Sequence, residues 1–272
     1  AADRFDLVTD IGTELPMKAI GMLLGIPDSD QPAARDLTDK RLHSDPGAPM
    51  PVRKDRYFTG ENFAEYVDWR AANPSDDLVT ELINPEFTDP HGVTRRLTRD
   101  ELMLFVGLIA GAGFETTGRL IGWLGRLLGD HPDIRREVAA DRSLIAQTVE
   151  EVLRYEPTGA SIARYVAEDL EYHGTTIPAG SALLLVVAAG NRDPRKFTDP
   201  DTFDIHRNDG PHITFGHGIH FCLGASLARL EGRIVLDEIL NRFPDWEVDD
   251  DAAERVYTST MRGWKTLPVH IG

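Results

Sequence analysis

The sequence is poor in the features that mark secreted and membrane proteins. One cysteine, Cys222, occurs in 272 residues, so the chain cannot form an internal disulfide and does not fit a disulfide-stabilised secreted scaffold. The apolar run from Leu102 to Ala112 is shorter than the roughly 20 residues that a membrane-spanning helix needs, and Glu115 follows it closely. We therefore expect no membrane span and a cytoplasmic location.

Basic residues are also few. Lysine and arginine number 29 against 45 aspartate and glutamate residues, which gives a formal net charge of -16. A strongly acidic surface repels phosphate backbones, and nucleic acid is excluded as a partner on that ground. The length suits one large domain or two small ones. Because no linker or repeat interrupts the chain, we predict a single domain over residues 1-272.

Helical periodicity dominates the rest of the pattern. The β-branched and apolar runs SIARYVA, LEYH and SALLLVV predict a small antiparallel sheet at about residues 160–187. The coil over residues 191–212 is rich in proline and aspartate, and ordered coils of that length usually have a function. The predicted fold class is therefore mainly α with a small antiparallel β-sheet. Predicted helices cover residues 14–25, 28–44, 56–73, 76–83, 98–128, 131–140, 143–156 and 223–243, with loops at 44–51 and 84–96 and strands in the tail after 245.

The helix predicted over residues 98–128 has an unusual centre. Thr98 and Glu101 form a capping box that marks its start. Before Gly113 the helix is apolar on nearly every side, so we expect it to be buried. Its middle, AGAGFETT, also contains Glu115, an acid that needs water or a polar partner when buried. Close helix packing, with threonines bonded back to the preceding turn, explains the glycines but not this acid.

Glycines, aromatic residues and histidines surround the cysteine in FGHGIHFCLG, residues 215–224. The stretch precedes a predicted amphipathic helix, and the unpaired N–H groups and the dipole of a helix start favour a thiolate there. We expect the glycines to adopt positive φ and to admit something flat or bulky. His220 can donate a hydrogen bond to an anion. The glycines are Gly216, Gly218 and Gly224, and the apolar walls are Phe215 and Phe221.

Three interpretations of this stretch follow from the residues alone. A lone cysteine is commonly a buried structural residue. A zinc site is the second interpretation, although the spacing matches neither of the usual pairs, CxxC and HxxxH. A cysteine nucleophile with a histidine base is the third, and it needs an oxyanion site and an orienting group that the sequence does not point to. The zinc ligands would be His212, His217, His220 and Cys222.

A fourth interpretation comes from a resemblance to the cytochrome P-450 family. The stretch is similar to that family's FGxGxHxCxG signature at every fixed position, namely Phe215, Gly216, Gly218, His220, Cys222 and Gly224. The resemblance implies a haem-binding loop over residues 215–224, with haem b as the cofactor and Cys222 as the axial iron ligand. In the family the thiolate pushes electron density onto the iron and favours O–O cleavage.

The AGAGFETT segment resembles the family's AGxxT oxygen-binding segment, with Phe114 where histidine is common. The resemblance implies that Ala112 and Gly113 contact the cofactor, where a loosened helix makes a groove for dioxygen. It also implies that Thr116 is the alcohol beside bound oxygen and that Glu115 supplies protons from solvent. Residues expected to face an apolar substrate are Leu108, Ile109, Ala112, Ile162 and the turn at 259–261.

Two further segments fit the same family. EEVLRYEP places Glu151 and Arg154 at i and i+3, like the family's structural ExxR pair. The family usually adds an arginine in the coil, but PDTFD has Thr202 there, so either Arg207 or His206 replaces it or the network is smaller.

ARYVAEDLEYHGTTIPAG resembles the family's first sheet. The resemblance implies that Arg164 binds one haem propionate, since arginine binds carboxylates through a fork of donors. It assigns the other propionate to His220.

The resemblance implies a soluble, bacterial-type monooxygenase that activates dioxygen and hydroxylates an apolar small molecule. Electrons would come from a ferredoxin or a flavin-containing reductase. A peroxide-using peroxygenase and a non-catalytic haem-binding or sensor protein remain as rivals. The resemblance also places the family's N-terminal part upstream of Ala1, and we expect residues 1–272 alone to bind haem weakly.

Overall fold

The computed structural model describes residues 3–33, 63–258 and 261–272. The chain forms two compact units. The larger unit contains Ala1–Leu7, Arg119–Val256 and Thr260–Gly272, and the smaller unit contains Val8–Gly118 and Tyr257–Ser259. Most of the helix predicted at 28–44, the loop at 44–51, the start of the helix at 56–73 and positions 259–260 lie outside the described residues.

The described smaller unit consists of helices and one short hairpin, after a π-helical segment at Leu7–Gly12. The sequence predicted the hairpin region as a loop; two residues on each side pair across the turn at Gly92, whose φ is 80°. The elements are α1 (Glu14–Leu24), α2 (Ala64–Ala72), α3 (Leu78–Ile83), β2 (Phe87–Thr88), β3 (Thr94–Arg95) and the first part of α4 (Arg99–Asp130).

One buried ion pair joins the first three helices of this unit. Arg70 on α2 binds Asp77, with 2.9 Å between Nε and Oδ2, and donates to the carbonyl of Gly25 at 2.8 Å. Asp77 also caps α3 by accepting from the N–H of Thr80 at 2.8 Å. Gly25 ends α1 with a φ of 70°, a conformation that glycine adopts without strain.

The capping box predicted for the long helix is confirmed. Glu101 Oε2 accepts from the N–H of Thr98 at 2.8 Å, and Thr98 Oγ1 accepts from the N–H of Glu101 at 3.3 Å. The prediction that the helix is buried is wrong for one apolar face, where Leu108 is 47% exposed. Helical neighbours pack against α4 on the opposite face, where Gly113 meets Ile20 of α1.

The larger unit contains the remaining helices, with α6 packed against α8. Gly232 of α8 permits this contact, since a Cβ there would lie 3.2 Å from a methyl group of Val149. The helices are α5 (Pro132–Ala140), α6 (Ile145–Tyr155), α7 (Val187–Gly190) and α8 (Ala225–Arg242), preceded by the 3₁₀ turns Arg142–Leu144 and Gly218–His220 before α6 and α8 respectively.

Strands of the larger unit form several small antiparallel ladders. β1 (Arg4–Asp6) and β8 (Trp246–Val248) flank β11 (Pro268–Ile271) in a three-stranded sheet. β9 (Glu254–Arg255) pairs with β10 (Trp264–Thr266).

The sheet predicted at 160–187 is present as two ladders. β4 (Ile162–Tyr165) pairs with β7 (Ala182–Leu185), and β5 (Leu170–Tyr172) pairs with β6 (Thr175–Ile177). The sequence assigned the start of β6 to a turn. His173 and Gly174 both have positive φ, at 49° and 75°, so the chain reverses within two residues and the threonines already pair.

The described residues are mainly helical with small antiparallel sheets, which confirms the predicted fold class. Among the described residues, α4 is the one helix long and apolar enough to cross a membrane by length and composition. However, 56% of its apolar window is buried inside the protein, as in the core helix of a globular domain.

Candidate functional site

Backbone hydrogen bonds close the cysteine loop, residues 215–224, on itself. The N–H of Cys222 donates to the carbonyl of Phe215 at 2.8 Å, and the N–H of Phe221 donates to the carbonyl of Gly218 at 3.0 Å. The loop lies between the coil that follows α7 and the start of α8 at Ala225. Cys222 is exposed three residues before that helix. An exposed thiol contradicts the interpretation of Cys222 as a buried structural residue.

Two of the three loop glycines have the predicted conformation. Gly216 and Gly218 have φ values of 75° and 70°, which favour glycine. The prediction is wrong for Gly224, whose φ is -86°, because this residue is the N-cap of α8 and its backbone is ordinary there. A Cβ atom at Gly218 or Gly224 would meet nothing within 4 Å. These glycines therefore leave open space on the surface of the cysteine loop.

Apolar side chains beside Cys222 face outward rather than into a core. Ile219 is 98% exposed and Leu223 is 78% exposed, with Phe221 also exposed between them. Burying such side chains is favourable, so this surface suits a flat apolar ligand over the thiol. An exposed cysteine sulfur with apolar side chains around it and open space at the glycines fits haem.

The described residues do not fit the zinc interpretation. They contain no group of three or more histidine, cysteine or acidic side chains that could hold a metal ion. His212, one of the four supposed ligands, is turned away into a hydrogen bond, because its Nδ1 accepts from the N–H of Thr214 at 3.1 Å.

Two side chains of the larger unit, Arg164 and His220, can donate hydrogen bonds to a carboxylate. Arg164 on β4 makes a hydrogen bond to the carbonyl of its neighbour Ala163, at 3.0 Å, and takes part in no ion pair within the described part of the chain. His220 is exposed, and its ring has no recorded partner among the same residues. Both fit the propionate roles that the resemblance implies.

An ion pair lies behind the cysteine loop. Arg229 on α8 binds Glu150 on α6 through two contacts, 2.6 Å from Nε to Oε1 and 2.9 Å from Nη2 to Oε2. Its guanidinium carbon lies 4.5 Å from the centre of the Phe215 ring. The hydrogen bond to Glu150 raises the pKa of Arg229, and the charge of Cys222 acts in the same direction. The cation therefore acts on the thiol electrostatically.

His212 completes this cluster. Since its Nδ1 accepts from Thr214, its Nε2 carries the proton, and Nε2 lies 3.3 Å from Oε2 of Glu150. The contact is close although not aligned as a regular hydrogen bond. Burial by itself raises the pKa of Glu150, but His212 and Arg229 outweigh it and lower that pKa to about 2. Glu150 is thus a firmly ionised carboxylate.

The ExxR pair is fully buried. Glu151 and Arg154 make two contacts of 2.7 and 2.8 Å, and both side chains are 2% exposed. Arg154 also donates to the carbonyls of Asn191 at 2.9 Å and Pro200 at 2.8 Å. The pair therefore fixes α6 to the coil that leads into the cysteine loop.

Arg207 is the third member of this network in place of the missing coil arginine. Its Nε lies 3.3 Å from Oε1 of Glu151, and its side chain is buried. Thr202 contributes only its carbonyl, which accepts from Arg154 at 3.1 Å and from Arg207 at 2.9 Å. His206, the other candidate, binds Glu137 instead at 2.8 Å.

The AGAGFETT segment forms continuous helix in the smaller unit, and the expected local loosening is not seen. Thr116 Oγ1 donates to the carbonyl of Ala112 at 2.7 Å, the back-bonded geometry of a helical threonine. Gly113 serves helix packing, because a Cβ there would lie 2.5 Å from Ile20. Glu115 is buried beside them.

One face of α4 presents an apolar stripe that ends at Thr116. Leu104, Leu108 and Ala112 recur every four residues and are exposed. Of the other positions predicted to face a substrate, Ile109 is half-buried on α4, and Ile162 is half-buried on β4.

Comparison with known proteins gives one family. The family model for cytochrome P-450 matches residues 61–270. Cytochrome P-450 123 of Mycobacterium tuberculosis is 38% identical over 273 residues, covering 99% of this chain and 67% of the relative. The cyclomarin C epoxidase CymV of Salinispora arenicola is 38% identical over 276 residues, covering 98% of this chain and 69% of that protein.

Solved structures agree with the sequence comparison. A mutant of P-450 EryK in complex with erythromycin B has a TM-score of 0.90 and 33% identity, and the match covers 100% of this chain and 71% of that chain. The chain thus spans about two thirds of the length of its relatives. The predicted family and cofactor are confirmed: this chain belongs to the cytochrome P-450 family of haem b monooxygenases.

Proposed function

We propose that the protein hydroxylates an apolar small molecule with dioxygen, at a haem whose iron is bound by Cys222. The observation that carries this proposal is the exposed thiol in a hydrogen-bonded loop, beside the outward-facing side chains of Ile219 and Leu223. When bound, the haem supplies the chemistry of oxygen activation, and the thiolate donates electron density that favours O–O cleavage. The remaining tasks belong to protein side chains.

Binding and orientation of the haem are the first of these tasks. The haem would contact the cysteine loop at Phe215, Gly216 and Gly224. The ring of Phe215 supplies apolar surface, and the backbone at Gly224 leaves open space. Arg164 and His220 bind the propionates. Each can donate to a carboxylate, and within the described part of the chain neither has an ion pair that would have to break first. Ala112 and Gly113 remain predicted cofactor contacts.

Proton supply is the second task, and we assign it to Thr116 and Glu115. The Thr116 hydroxyl donates to a backbone carbonyl, so its oxygen can still accept a hydrogen bond, and rotation about χ1 turns its proton elsewhere. Glu115 is a buried acid in the preceding position of the same helix. The family resemblance assigns to this acid and this hydroxyl the delivery of protons to reduced dioxygen, which a peroxide-driven reaction does not require.

The substrate class follows from the apolar stripe of α4. Leu104, Leu108 and Ala112 offer an apolar surface with no charged side chain. We assign an apolar small molecule to it, with steroids, terpenes and fatty acids as the classes to screen. Electrons come from a ferredoxin or a flavin-containing reductase in the cytoplasm.

The test is turnover of the haem-loaded protein. Substrates that shift its absorption spectrum are incubated with NADPH, ferredoxin and ferredoxin reductase under ¹⁸O-labelled dioxygen. We expect product that carries one labelled oxygen atom and depends on NADPH. Product formed from hydrogen peroxide alone would identify a peroxygenase, and haem binding without either reaction would identify a non-catalytic protein.

A further inference from the structure

Two polar residues, Asn191 and Thr214, form side-chain hydrogen bonds at the end of the coil that leads into the cysteine loop. Asn191 follows α7, and its side chain is fully buried. Its Nδ2 donates to Thr214 Oγ1 at 2.8 Å, and its Oδ1 accepts from the N–H of Ile213 at 2.9 Å. The carboxamide therefore clamps two consecutive residues just ahead of the loop.

The Thr214 hydroxyl extends the clamp to α6. It donates to the carbonyl of Leu153 at 2.7 Å while it accepts from Asn191. Thr214 is followed by Phe215, whose carbonyl accepts from the N–H of Cys222 at 2.8 Å. A short run of hydrogen bonds thus connects the thiol-bearing residue with the backbone of α6.

The same clamp is connected with the ExxR pair. The backbone carbonyl of Asn191 accepts from Arg154 Nη1 at 2.9 Å. Arg154 is itself held by Glu151. By contrast, the tip of the loop at Ile219 is almost fully exposed, so little packs against it. The position of the loop is therefore set at its base rather than at its tip.

We propose that Asn191 and Thr214 are positioning residues for Cys222, because they fix the base of the cysteine loop on α6. This inference rests on the proposed role of Cys222 as iron ligand. A hydroxyl that both donates and accepts cannot become apolar without leaving two buried polar groups unpaired. A loosened base would let Cys222 move away from the position in which its sulfur would bind iron.

Thr214→Val removes the hydroxyl at nearly constant shape, and Thr148→Val is the matched control. Thr148 is also fully buried, and its hydroxyl donates to the carbonyl of Leu144 at 2.9 Å, one residue before α6 and away from the loop. Two quantities are measured on the haem-loaded protein. One is the urea midpoint of unfolding, and the other is the rate at which the thiolate-type band of the ferrous–CO spectrum is lost below that midpoint.

Both valine variants should have a lower urea midpoint, but only Thr214→Val should lose the thiolate-type band faster, by about tenfold for one or two lost buried hydrogen bonds. Thr214→Ser, which keeps the hydroxyl, should restore the wild-type rate. If Thr214→Val does not take up haem, Asn191→Asp tests the proposal instead. This variant keeps an oxygen that accepts from the N–H of Ile213, but it loses the amide that donates to Thr214. Its rate of band loss should then exceed that of Thr148→Val.

Equal rates of band loss in the Thr214 or Asn191 variant and in Thr148→Val would overturn the positioning role. A wild-type protein that is saturated with haem and still lacks the thiolate-type band would instead overturn the assignment of Cys222, and this inference with it.

Discussion

Arg229 on α8 holds Glu150 on α6 through two charge-assisted hydrogen bonds of 2.6 and 2.9 Å. The guanidinium of this pair also covers the ring of Phe215, the first residue of the cysteine loop. Two helices and the loop base are therefore joined by one side chain. The hydrogen bond to Glu150 raises the pKa of Arg229, so this guanidinium remains a cation at the base of the cysteine loop.

Glu150 should make the protein more sensitive to acid. Its folded pKa of about 2 is lower than the ordinary 4.5, so its carboxylate stabilises the folded state above pH 4.5. That contribution is lost as the pH falls from 4.5 towards 2. Glu150→Gln should lower the free energy of unfolding by about 1 kcal/mol at pH 7, a value reduced for partial exposure, and by less at pH 3.

Urea unfolding at both pH values measures this difference. Glu247→Gln, on an exposed position of β8, removes the same charge and serves as the control. Equal destabilisation by Glu150→Gln at pH 7 and pH 3 would contradict the assigned pKa.

The ExxR pair should be essential for folding. Glu151→Ala leaves the buried Arg154 guanidinium without its carboxylate, and breaking a buried pair typically costs about 3–5 kcal/mol. Glu238→Ala breaks an exposed pair with Arg242 on α8 and should cost less than about 1 kcal/mol. The free energy of unfolding of each variant checks the contrast, and similar values for the two variants would refute it.

Arg207 should be the functional replacement for the coil arginine. Arg207→Met removes the contact with Glu151 and three hydrogen bonds to backbone carbonyls, at Thr198, Asp199 and Thr202. We expect a loss of about 2–3 kcal/mol of stability, since hydrogen bonds of charged groups are strong. His206→Ala at an exposed position should cost about 0.5 kcal/mol or less. Thermal unfolding measures the loss of stability in each variant. A larger loss in His206→Ala than in Arg207→Met would show that His206, not Arg207, replaces the coil arginine.

Thr116 should control how electrons are used. In the haem-loaded enzyme, Thr116→Ala should consume NADPH at a similar rate but form less product, with the difference recovered as hydrogen peroxide. Loss of proton delivery by a positioned group typically lowers a rate by about 10²–10⁴-fold. Thr117→Ala, the buried neighbour, is the control. The measurement is the ratio of product formed to NADPH consumed. An unchanged ratio in Thr116→Ala would rule out the proton-delivery role.

Elements with local signals could be predicted from the sequence. The capping box of Thr98 and Glu101 lies within one helical turn, and the cysteine loop lies within ten residues, so short-range patterns identify both. The family resemblance predicted that Leu108 faces a substrate, but the helical apolar pattern alone did not identify the exposed face, because that face depends on which helices pack beside α4.

Most features that the sequence could not predict are contacts between segments far apart in the chain. Arg207 and Glu151 are 56 residues apart, and Arg229 and Glu150 are 79 residues apart, so no periodicity relates them. Asn191 begins the predicted coil, and its side-chain hydrogen bonds to residues 213 and 214 depend on how that coil folds. The pairing of β1 with β11 likewise joins opposite ends of the sequence.

Coordination of iron by Cys222 is tested most directly by the ferrous–CO spectrum of the haem-loaded protein and of Cys222→His. The wild type should show the thiolate-type Soret band, because ionised sulfur bound to haem iron would produce it. Cys222→His keeps a possible ligand but no thiolate, so it should still bind haem and lose that band. Survival of the thiolate-type band in Cys222→His would contradict the proposed haem-thiolate site.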